Sequence, residues 1–378
     1  MGRSEIDRIK QEIREELAIK AYREFTTNLA LWLPTGTGKS AIALKCCKRF
    51  ENPKVLIVLE KNVHKSNWEK EIQEFNPEVN PTFTHYNSLG NIKEDFDVII
   101  FDEADCLITD ERLQNALNIN GRAIFLAARI NNNKLKHLKR FYKFNEIQMS
   151  LFEAIHKGLL PKPTIRTYPI DLREDIMCIY EQGNNKSKKT IEVDYKDRFK
   201  KNVNLRIRCN QKEYYSLLIN KYEYFKQLAK KDKYEGFMMT KYIKQGLDIK
   251  KWLDSLKLPL IEKLFKIKGR RLIFTSSIEN TKLLGNAIHS ENSDKENEAL
   301  IEAFNNGSID YIVSVGMLIR AMNLYNVEHS IIGTHTEDGI ILEQMLGRSL
   351  RFEFPTIHIP YIRGTKDEEK LLNNLNRL

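Results

Sequence analysis

The stretch LALWLPTGTGKSAIALKCC, residues 29–47, decides the fold of this chain. It predicts an apolar strand, a glycine-rich turn and a helix, which is the local structure that a phosphate-binding loop requires. Gly36 and Gly38 permit a turn whose amide hydrogens point inward, and Lys39 can reach the β and γ phosphates. The segment therefore predicts a triphosphate site formed by Thr35, Gly36, Thr37, Gly38, Lys39 and Ser40, with the Ser40 hydroxyl as an Mg²⁺ ligand. The general pattern has glycine where this chain has Leu33, so a plain connecting loop is the alternative.

The stretch DFDVIIFDEADCL, residues 95–107, predicts a second part of the same site. Four apolar residues precede Asp102 and Glu103, so the two carboxylates are expected at the end of a buried strand. In a phosphate-loop ATPase an acid at this place holds Mg²⁺, and the next carboxylate orients or deprotonates the attacking water. We assign the first role to Asp102 and the second to Glu103. For an isolated acidic tetrapeptide, a solvated surface cluster would be the alternative.

The stretch ILEQMLGRSLRF, residues 341–352, predicts the third part. Arg348 and Arg351 are three residues apart and therefore share one face of a helix. An arginine that reaches the γ-phosphate across a cleft contributes roughly 10³ to 10⁵ in rate. Without the first two parts, an exposed basic helix end would be the simpler interpretation.

Apolar strand-like runs alternate with helical segments along most of the chain. They lie at 29–33, 55–59, 98–101 and 123–128, and again at 271–277, 311–315 and 329–333, with a short strand expected at 164–172. This alternation is typical of parallel sheets that helices cover on both faces. A length of 378 residues also exceeds the roughly 250 to 300 residues that one core supports. We therefore predict an N-terminal helix over 4–25, a first lobe over 1–160, and a second lobe over 161–378 that an insertion interrupts at about 173–265.

Charge and composition indicate a polyanionic partner and exclude a membrane protein. The chain has 42% hydrophobic and 30% charged residues, a formal net charge of +10 and a pI near 9.1. Residues 181–270 hold 24 Lys and Arg against 11 Asp and Glu, so the positive charge is concentrated in the predicted insertion. The apolar runs are shorter than the roughly 20 residues of a membrane span. The N-terminus lacks the apolar core of a signal peptide, so we expect a cytosolic protein. The five cysteines have no spacing typical of zinc sites.

The three parts, in the order LPTGTGKS, FDEAD and QMLGRSLR, resemble the superfamily-two helicases and translocases. Residues 55–75, 83–89, 270–284 and 312–324 are similar to that family's motifs Ia, Ib, IV and V. The resemblance implies an α/β fold of two tandem RecA-like P-loop domains with parallel sheets, plus a mainly helical basic insertion. It implies ATP and Mg²⁺ as cofactors, with Mg²⁺ at Ser40 and Asp102. It implies catalytic roles for Glu103, Gln344, Arg348 and Arg351.

Within the superfamily, the sequence is more similar to phage repair helicases, excision-repair helicases and chromatin-remodelling motors than to DEAD-box RNA helicases. A DEAD-box protein carries Ser-Ala-Thr as motif III and a glutamine shortly before the phosphate loop. This chain has Leu126-Ala127-Ala128-Arg129 and no glutamine between Gln11 and the loop. The resemblance therefore implies a DNA helicase or translocase, with altered coupling through motif III and acceptance of nucleotides other than ATP. An RNA helicase and an ATP-driven binding clamp with weak turnover stay open as alternatives.

In this family a nucleic-acid strand crosses both lobes and is held mainly through its phosphates. The candidate contacts follow predicted strands, and ordinary loop surface is the alternative for each: Lys61, Asn62, His85, Tyr86, Ser276, Ser277, Ser314 and Asn323. The insertion adds six tyrosines among its lysines, which predicts either base stacking or packing against a neighbouring lobe: Tyr214, Tyr215, Tyr222, Tyr224, Tyr234 and Tyr242. We expect a monomer with an unidentified recruiting partner, working in the host cytoplasm if a phage encodes it.

Overall fold

The structure is a computed structural model that describes residues 3–60, 63–183, 189–200, 202–231, 236–315, 324–335 and 339–376. After a long first helix, its N-terminal part alternates strands and helices. The helices are α1 (Arg3–Glu24), α2 (Lys39–Cys47), α3 (Val63–Phe75), α4 (Asp110–Leu117), α5 (Asn132–Phe141) and α6 (Leu151–His156). The strands are β1 (Asn28–Trp32), β2 (Val55–Leu59), β3 (Thr82–His85), β4 (Val98–Asp102), β5 (Arg122–Ala127) and β6 (Phe144–Gln148).

These six strands form one parallel sheet in the order β3-β2-β4-β5-β1-β6. Strand β2, with the sequence VLIVL, is buried at every position, as expected where helices cover both faces of a sheet. Strands β1 and β4 both pair with β5. Because the carboxyl ends of parallel strands lie at one edge, the loop after β1 and the acids at the end of β4 come to the same edge.

The chain then forms β7 (Thr164–Ile170) and continues into a group of elements that belong to the predicted insertion. The strands are β8 (Met177–Gln182), β9 (Thr190–Asp194) and β10 (Asn204–Asn210), and the helices are α7 (Gln211–Lys231), α8 (Phe237–Ser255) and α9 (Leu258–Leu264). The strands form a small sheet in the order β8-β10-β9, antiparallel between β8 and β10 and parallel between β10 and β9.

The C-terminal part forms a second six-stranded sheet. Its strands are β11 (Arg271–Thr275), β12 (Ala287–Ile288), β13 (Tyr311–Val315), β14 (His329–Ile332) and β15 (Thr356–Ile362). Together with β7 they follow the order β12-β13-β11-β14-β15-β7, and the pairs from β12 to β15 are parallel. Its helices are α10 (Ile278–Leu284), α11 (Asp294–Asn305), α12 (Gly339–Ser349) and α13 (Lys366–Leu375). The expected α/β class with two tandem RecA-like lobes is confirmed.

The chain divides into two compact units, and the division differs from the expected lobe boundaries. The first unit comprises Met1–Arg166, Phe265–Ile359 and Leu372–Leu378, so it contains the whole first sheet and most of the second. The second unit comprises Thr167–Leu264 and Pro360–Leu371, and it contains the three-stranded sheet with α7, α8 and α9. No helix among the described residues is long and apolar enough to cross a bilayer.

Two kinds of strand were not predicted from the sequence. Strand β6, with the sequence FNEIQ, lies at the edge of its sheet and has a single fully buried residue, so it lacks an apolar run. Strand β10, with the sequence NLRIRCN, alternates buried apolar residues with exposed arginines. We interpreted its arginines as part of a basic, mainly helical segment. The alternation instead marks a strand with one face in a core and one face in water.

Tyrosines form much of the core of the second unit. Four of the six singled out from the sequence lie in this core or pack against it: Tyr214, Tyr215, Tyr222 and Tyr242. The hydroxyl groups of Tyr222 and Tyr242 are 2.7 Å apart, which satisfies both groups inside the core. Their packing is therefore internal to the unit. Tyr224 is 59% exposed, and Tyr234 lies outside the described residues.

A buried ion cluster closes the same unit. Lys257 is fully buried, and its Nζ lies 2.8 Å from Asp254 Oδ1 and 2.7 Å from Asp367 Oδ1. Burial alone would lower the pKa of Lys257, but the two carboxylates outweigh burial and raise the pKa above its ordinary value. The other oxygen of Asp367 accepts a hydrogen bond from the backbone of Ile362 at 2.9 Å. The cluster thus joins the end of α8 to the start of α13.

Replacing Lys257 by alanine should lower the free energy of unfolding by about 3 to 5 kcal/mol, because two buried carboxylates lose their cation. Urea denaturation of the full chain measures this change. The control is Lys282→Ala, which removes an exposed pair with Glu291 (2.6 Å, side chains 54% and 58% exposed) and should cost less than about 1 kcal/mol. Equal effects of the two substitutions would contradict a stabilising role for the cluster.

Candidate active site

One cavity of about 980 Å³ in the first unit gathers most of the residues that the sequence assigned to phosphate chemistry. Its wall includes Thr35, Gly36, Gly38, Lys39, Ser40, Asp102, Glu103, Arg348 and Arg351. These residues come from the loop after β1, the end of β4, and α12 with the residues that follow it. Thr37 and Gln344 are not in the wall: Thr37 is fully buried and Gln344 is 8% exposed. The three distant parts of the sequence therefore meet at one place.

The phosphate loop has the tight geometry that its glycines predict. Gly36 has a φ of +89° and Gly38 a φ of +93°, in the left-handed region that side-chain-bearing residues rarely adopt. The hydroxyl of Thr37 donates to the carbonyl of Pro34 at 2.7 Å, so this side chain stabilises the turn from inside. Helix α2 begins directly after the turn, at Lys39, and its first amide hydrogens have no partner within the helix. The helix start is suited to an anion.

Lys39 lies among charges from both lobes. Its Nζ donates to the carbonyl of Leu33 at 2.9 Å. Burial lowers the pKa of Lys39, while Glu103 and Asp102 raise it and the two arginines of the cavity lower it. The ammonium group is therefore within electrostatic reach of both acids and both arginines.

Asp102 is held in place by two hydrogen bonds to its carboxylate. Trp68 on α3, only 2% exposed, donates its Nε1 hydrogen to Oδ2 at 3.0 Å, and the backbone N–H of Glu103 donates to Oδ1 at 3.1 Å. These contacts fix the orientation of the carboxylate at the end of β4. A metal ligand that is oriented in this way binds its ion more tightly than a freely rotating one.

Glu103 combines strain with burial. Its φ of +50° lies in the left-handed region, which costs a non-glycine residue of order 1 to 3 kcal/mol. Its Oε2 is buried and has no hydrogen-bond partner among the described residues. Burial and the charge of Asp102 raise the pKa of Glu103, and Lys39 opposes them. A carboxylate with a raised pKa in a cavity is suited to accept a proton from water.

The oxygen atoms around Lys39 fit a magnesium ion. Ser40 lies beside the carboxylate of Glu71 on α3 and lowers its pKa against the effect of burial, and both residues lie in the cavity wall. Together with Asp102 and the partnerless oxygen of Glu103, the site offers hydroxyl and carboxylate donors, which Mg²⁺ prefers. Among the described residues there is no cluster of three or more His, Cys, Asp and Glu side chains that would enclose a metal alone.

Arg348 and Arg351 reach the cavity from the second lobe. Burial lowers the pKa of Arg348 to about 10, with Arg351 adding to the effect and Glu103 and Asp102 opposing it. Burial also lowers the pKa of Arg351. Gly347 lies directly against the phosphate loop, because a Cβ at this position would be 3.0 Å from Cβ of Thr35. The lack of a side chain at Gly347 lets α12 approach the loop this closely.

The sequence did not identify the contribution of the first helix. Gln11 and Arg14 on α1 lie in the cavity wall, and Arg14 Nη2 donates to the carbonyl of Gly36 at 3.1 Å. The segment between Gln11 and the phosphate loop has no glutamine, but helix α1 brings Gln11 itself to the cavity. Tyr325, from the second lobe, also lies in the wall. The sequence predicted a helix over 4–25, and a predicted helix does not tell which cavity it borders.

The candidate nucleic-acid contacts are only partly on the surface. Three of them are buried, which corrects their assignment as surface contacts. Tyr86 is 3% exposed and donates its hydroxyl to the carbonyl of Asp102 at 2.7 Å. Ser277 caps α10 by accepting from the Asn280 backbone, and Ser314 is fully buried in β13. His85 and Ser276 are half-buried. The other three candidates lie outside the described residues: Lys61, Asn62 and Asn323.

Comparison with known families agrees with this geometry. Residues 4–88 match the family described as type III restriction enzyme, res subunit, and residues 256–353 match the helicase conserved C-terminal domain. The two matches lie one in each lobe, and the second is to a helicase domain. No curated protein sequence matches the chain.

Solved structures share the fold of the chain at low sequence identity. The helicase domain of Hef from Pyrococcus furiosus is 16% identical, with a TM-score of 0.51 over 95% of this chain and 97% of that chain. A variant of Dbp5 from S. cerevisiae, bound to RNA and ADP BeF3, is 11% identical, with a TM-score of 0.57 over 96% of this chain and 86% of that chain. Another structure of Dbp5 in the same complex has a TM-score of 0.54 at 11% identity, over 93% and 83% of the two chains. These likenesses show that the paired RecA-like fold extends over nearly the whole chain.

Gly347→Ala should lower the turnover number for ATP about tenfold. The added methyl group must displace Thr35 or α12, and a misplacement of about 1 Å at a reacting group can cost about a hundredfold. Steady-state ATPase kinetics measure the effect. Gly183→Ala is the control, since no atom of the described residues lies within 4 Å of the added Cβ there. Wild-type turnover in Gly347→Ala would show that the close approach of α12 is not needed.

Proposed function

We propose that the chain is a nucleic-acid-stimulated ATPase that works as a DNA helicase or translocase. The observation that carries this proposal is the single cavity that Lys39 and Glu103 of the first lobe share with Arg348 of the second. Arg348 is buried and the other two are partly buried, and Glu103 affects the pKa of both Lys39 and Arg348. A site divided in this way is complete only while the two lobes are together, so hydrolysis can be linked to their relative movement.

Each residue has a chemical task in this proposal. Lys39 and the amide groups at the start of α2 bind the β and γ phosphates of ATP. Ser40 and Asp102 would hold Mg²⁺, which neutralises the phosphate charge. Glu103 orients the attacking water and accepts its proton. Arg348 and Arg351 stabilise the charge that develops on the γ-phosphate oxygens.

The preference for DNA rests on the sequence of motif III, and the charge of the insertion supports a nucleic-acid partner of either kind. The segment Leu126-Ala127-Ala128-Arg129 has no hydroxyl where the DEAD-box RNA helicases carry Ser-Ala-Thr. The insertion has a large excess of Lys and Arg, which attracts a polyanion independently of its sequence. The fold itself does not favour either nucleic acid, since Hef and the RNA-bound Dbp5 share it. We further propose that the protein works in the cytosol as a monomer.

ATPase rates with duplex DNA, single-stranded DNA and RNA test the proposal. We expect DNA to raise the rate, and Lys39→Ala or Glu103→Gln to reduce the stimulated rate at least about a hundredfold, because each removes a group that acts on the transferred phosphate. Arg140→Gln, an exposed change on α5, is the matched control and should keep the wild-type rate.

The three rates separate the candidate functions. Stimulation by RNA alone would overturn the assignment to DNA and favour an RNA helicase. Nucleotide binding without turnover under any of the three conditions would favour an ATP-driven clamp. A rate that Lys39→Ala leaves unchanged would contradict the site itself.

A further inference from the structure

A carboxylate of the second lobe, Glu343 on α12, lies against two groups of the first lobe. Glu343 is 5% exposed, and its Oε2 lies 3.6 Å from Nη1 of Arg129. The backbone of Leu151, the first residue of α6, also lies beside this carboxylate and lowers its pKa against the effect of burial. Arg129 comes two residues after the end of β5. The contact therefore joins the edge of the first sheet to the helix that precedes Arg348.

Because Glu343 is buried, its charged form depends on the contact with Arg129. Burial raises the pKa of Glu343, and the neighbouring Arg129 is the first group that counteracts it. The side chain of Arg129 is 47% exposed, so the carboxylate is the partner that depends on the pair. A buried carboxylate without a cation and without hydrogen-bond donors is strongly unfavourable. Glu343 thus favours the arrangement in which Arg129 and Leu151 face α12.

The pair also sets the position of the arginines. Glu343 and Gly347 are four residues apart, so they lie on the same face of α12. Glu343 contacts Arg129, and Gly347 lies against Thr35 of the phosphate loop. Two contacts one turn apart fix both the rotation of the helix and its position along its axis. Arg348 follows directly and lines the cavity, whereas Arg129 and Glu343 do not line it.

We propose that the ion pair between Arg129 and Glu343 positions Arg348 for phosphoryl transfer, in the place where motif III of this chain has no hydroxyl groups. The inference rests on the proposed function, because it assumes that Arg348 acts on the phosphates. Arg129 and Glu343 are positioning residues: they act through α12 and touch neither nucleotide nor metal. The pair accounts for how a motif III with two alanines contacts the second lobe.

A double-mutant cycle with Arg129→Gln, Glu343→Gln and the double variant tests the pair. Each single variant should lower the turnover number about tenfold and weaken binding of ADP with aluminium fluoride, a transition-state analogue, by the same factor. The affinity for ADP alone should stay within about twofold, since the phosphate loop is unchanged. The turnover number of the double variant should be no lower than that of the less active single variant, because the two changes break one interaction. Arg140→Gln is the control for loss of a surface arginine.

Two results would overturn the inference. One is a multiplicative loss of activity, in which the turnover number of the double variant falls about a hundredfold, since independent residues have independent effects. The other is equal weakening of ADP and of the analogue, which a merely structural defect would produce. If the wild-type chain binds ADP but does not hydrolyse ATP, the proposed function fails while the analogue titration still tests the pair. A wild-type chain that binds neither compound would overturn both.

Discussion

Lys39 lies half-buried among two carboxylates and two guanidinium groups, and the elements around it hold these five charges at their spacing. Burial disfavours each charged form, as the lowered pKa of Lys39 and the raised pKa of Glu103 show. The charges remain because they compensate one another across the cleft. Three cations face two anions, so the cavity has room for further negative charge. The phosphates of a nucleotide would supply this negative charge, and Mg²⁺ would offset part of the phosphate charge. The parallel sheets, the glycine turn and the strained backbone of Glu103 all serve this arrangement.

The sequence predicted the parts of the site whose chemistry is local. A phosphate loop needs glycines, a lysine and a hydroxyl in one short segment, and the acids must follow a buried strand, so Lys39, Asp102 and Glu103 were predicted without a structure, and the three line one cavity. Residues that depend on tertiary packing were not. Tyr86 follows a strand, as a surface contact would, but its ring is covered by the core and its hydroxyl binds the backbone of Asp102. Arg14 is one of many charged residues of α1, and only the packing of that helix brings it to the carbonyl of Gly36.

The aromatic residues and the basic residues of the insertion have different structural roles. Its aromatic residues were open to two interpretations, base stacking or packing, and the structure places Tyr222 and Tyr242 in a core with their hydroxyls paired. The arginines of β10 face outward, but they do not all offer free charge: Arg208 pairs with Asp194 at 3.1 Å, and Arg206 lies 3.6 Å from Glu181. Net charge is therefore a better guide to nucleic-acid attraction here than the number of exposed cations. Such attraction acts over about a Debye length and needs no particular side chain.

An ion pair between the lobes differs physically from the hydroxyl contacts that it stands in for. A hydroxyl can turn to water at little cost when the lobes part, since it stays neutral and solvated. Glu343 is buried, and Arg129 and Leu151 lower its pKa against the effect of burial, so its charged form is favoured only while both lie beside it. The dependence is specific to position, because Arg129 follows β5 and Leu151 begins α6. Helix α12 is thus favoured in one register against the first lobe. That register is the one in which Gly347 meets Thr35 and Arg348 enters the cavity. Loss of hydroxyls from motif III therefore does not imply loss of contact between the lobes. In this chain an ion pair takes the place of the weaker hydroxyl contact, and the strength of the ion pair depends on the exclusion of water from α12.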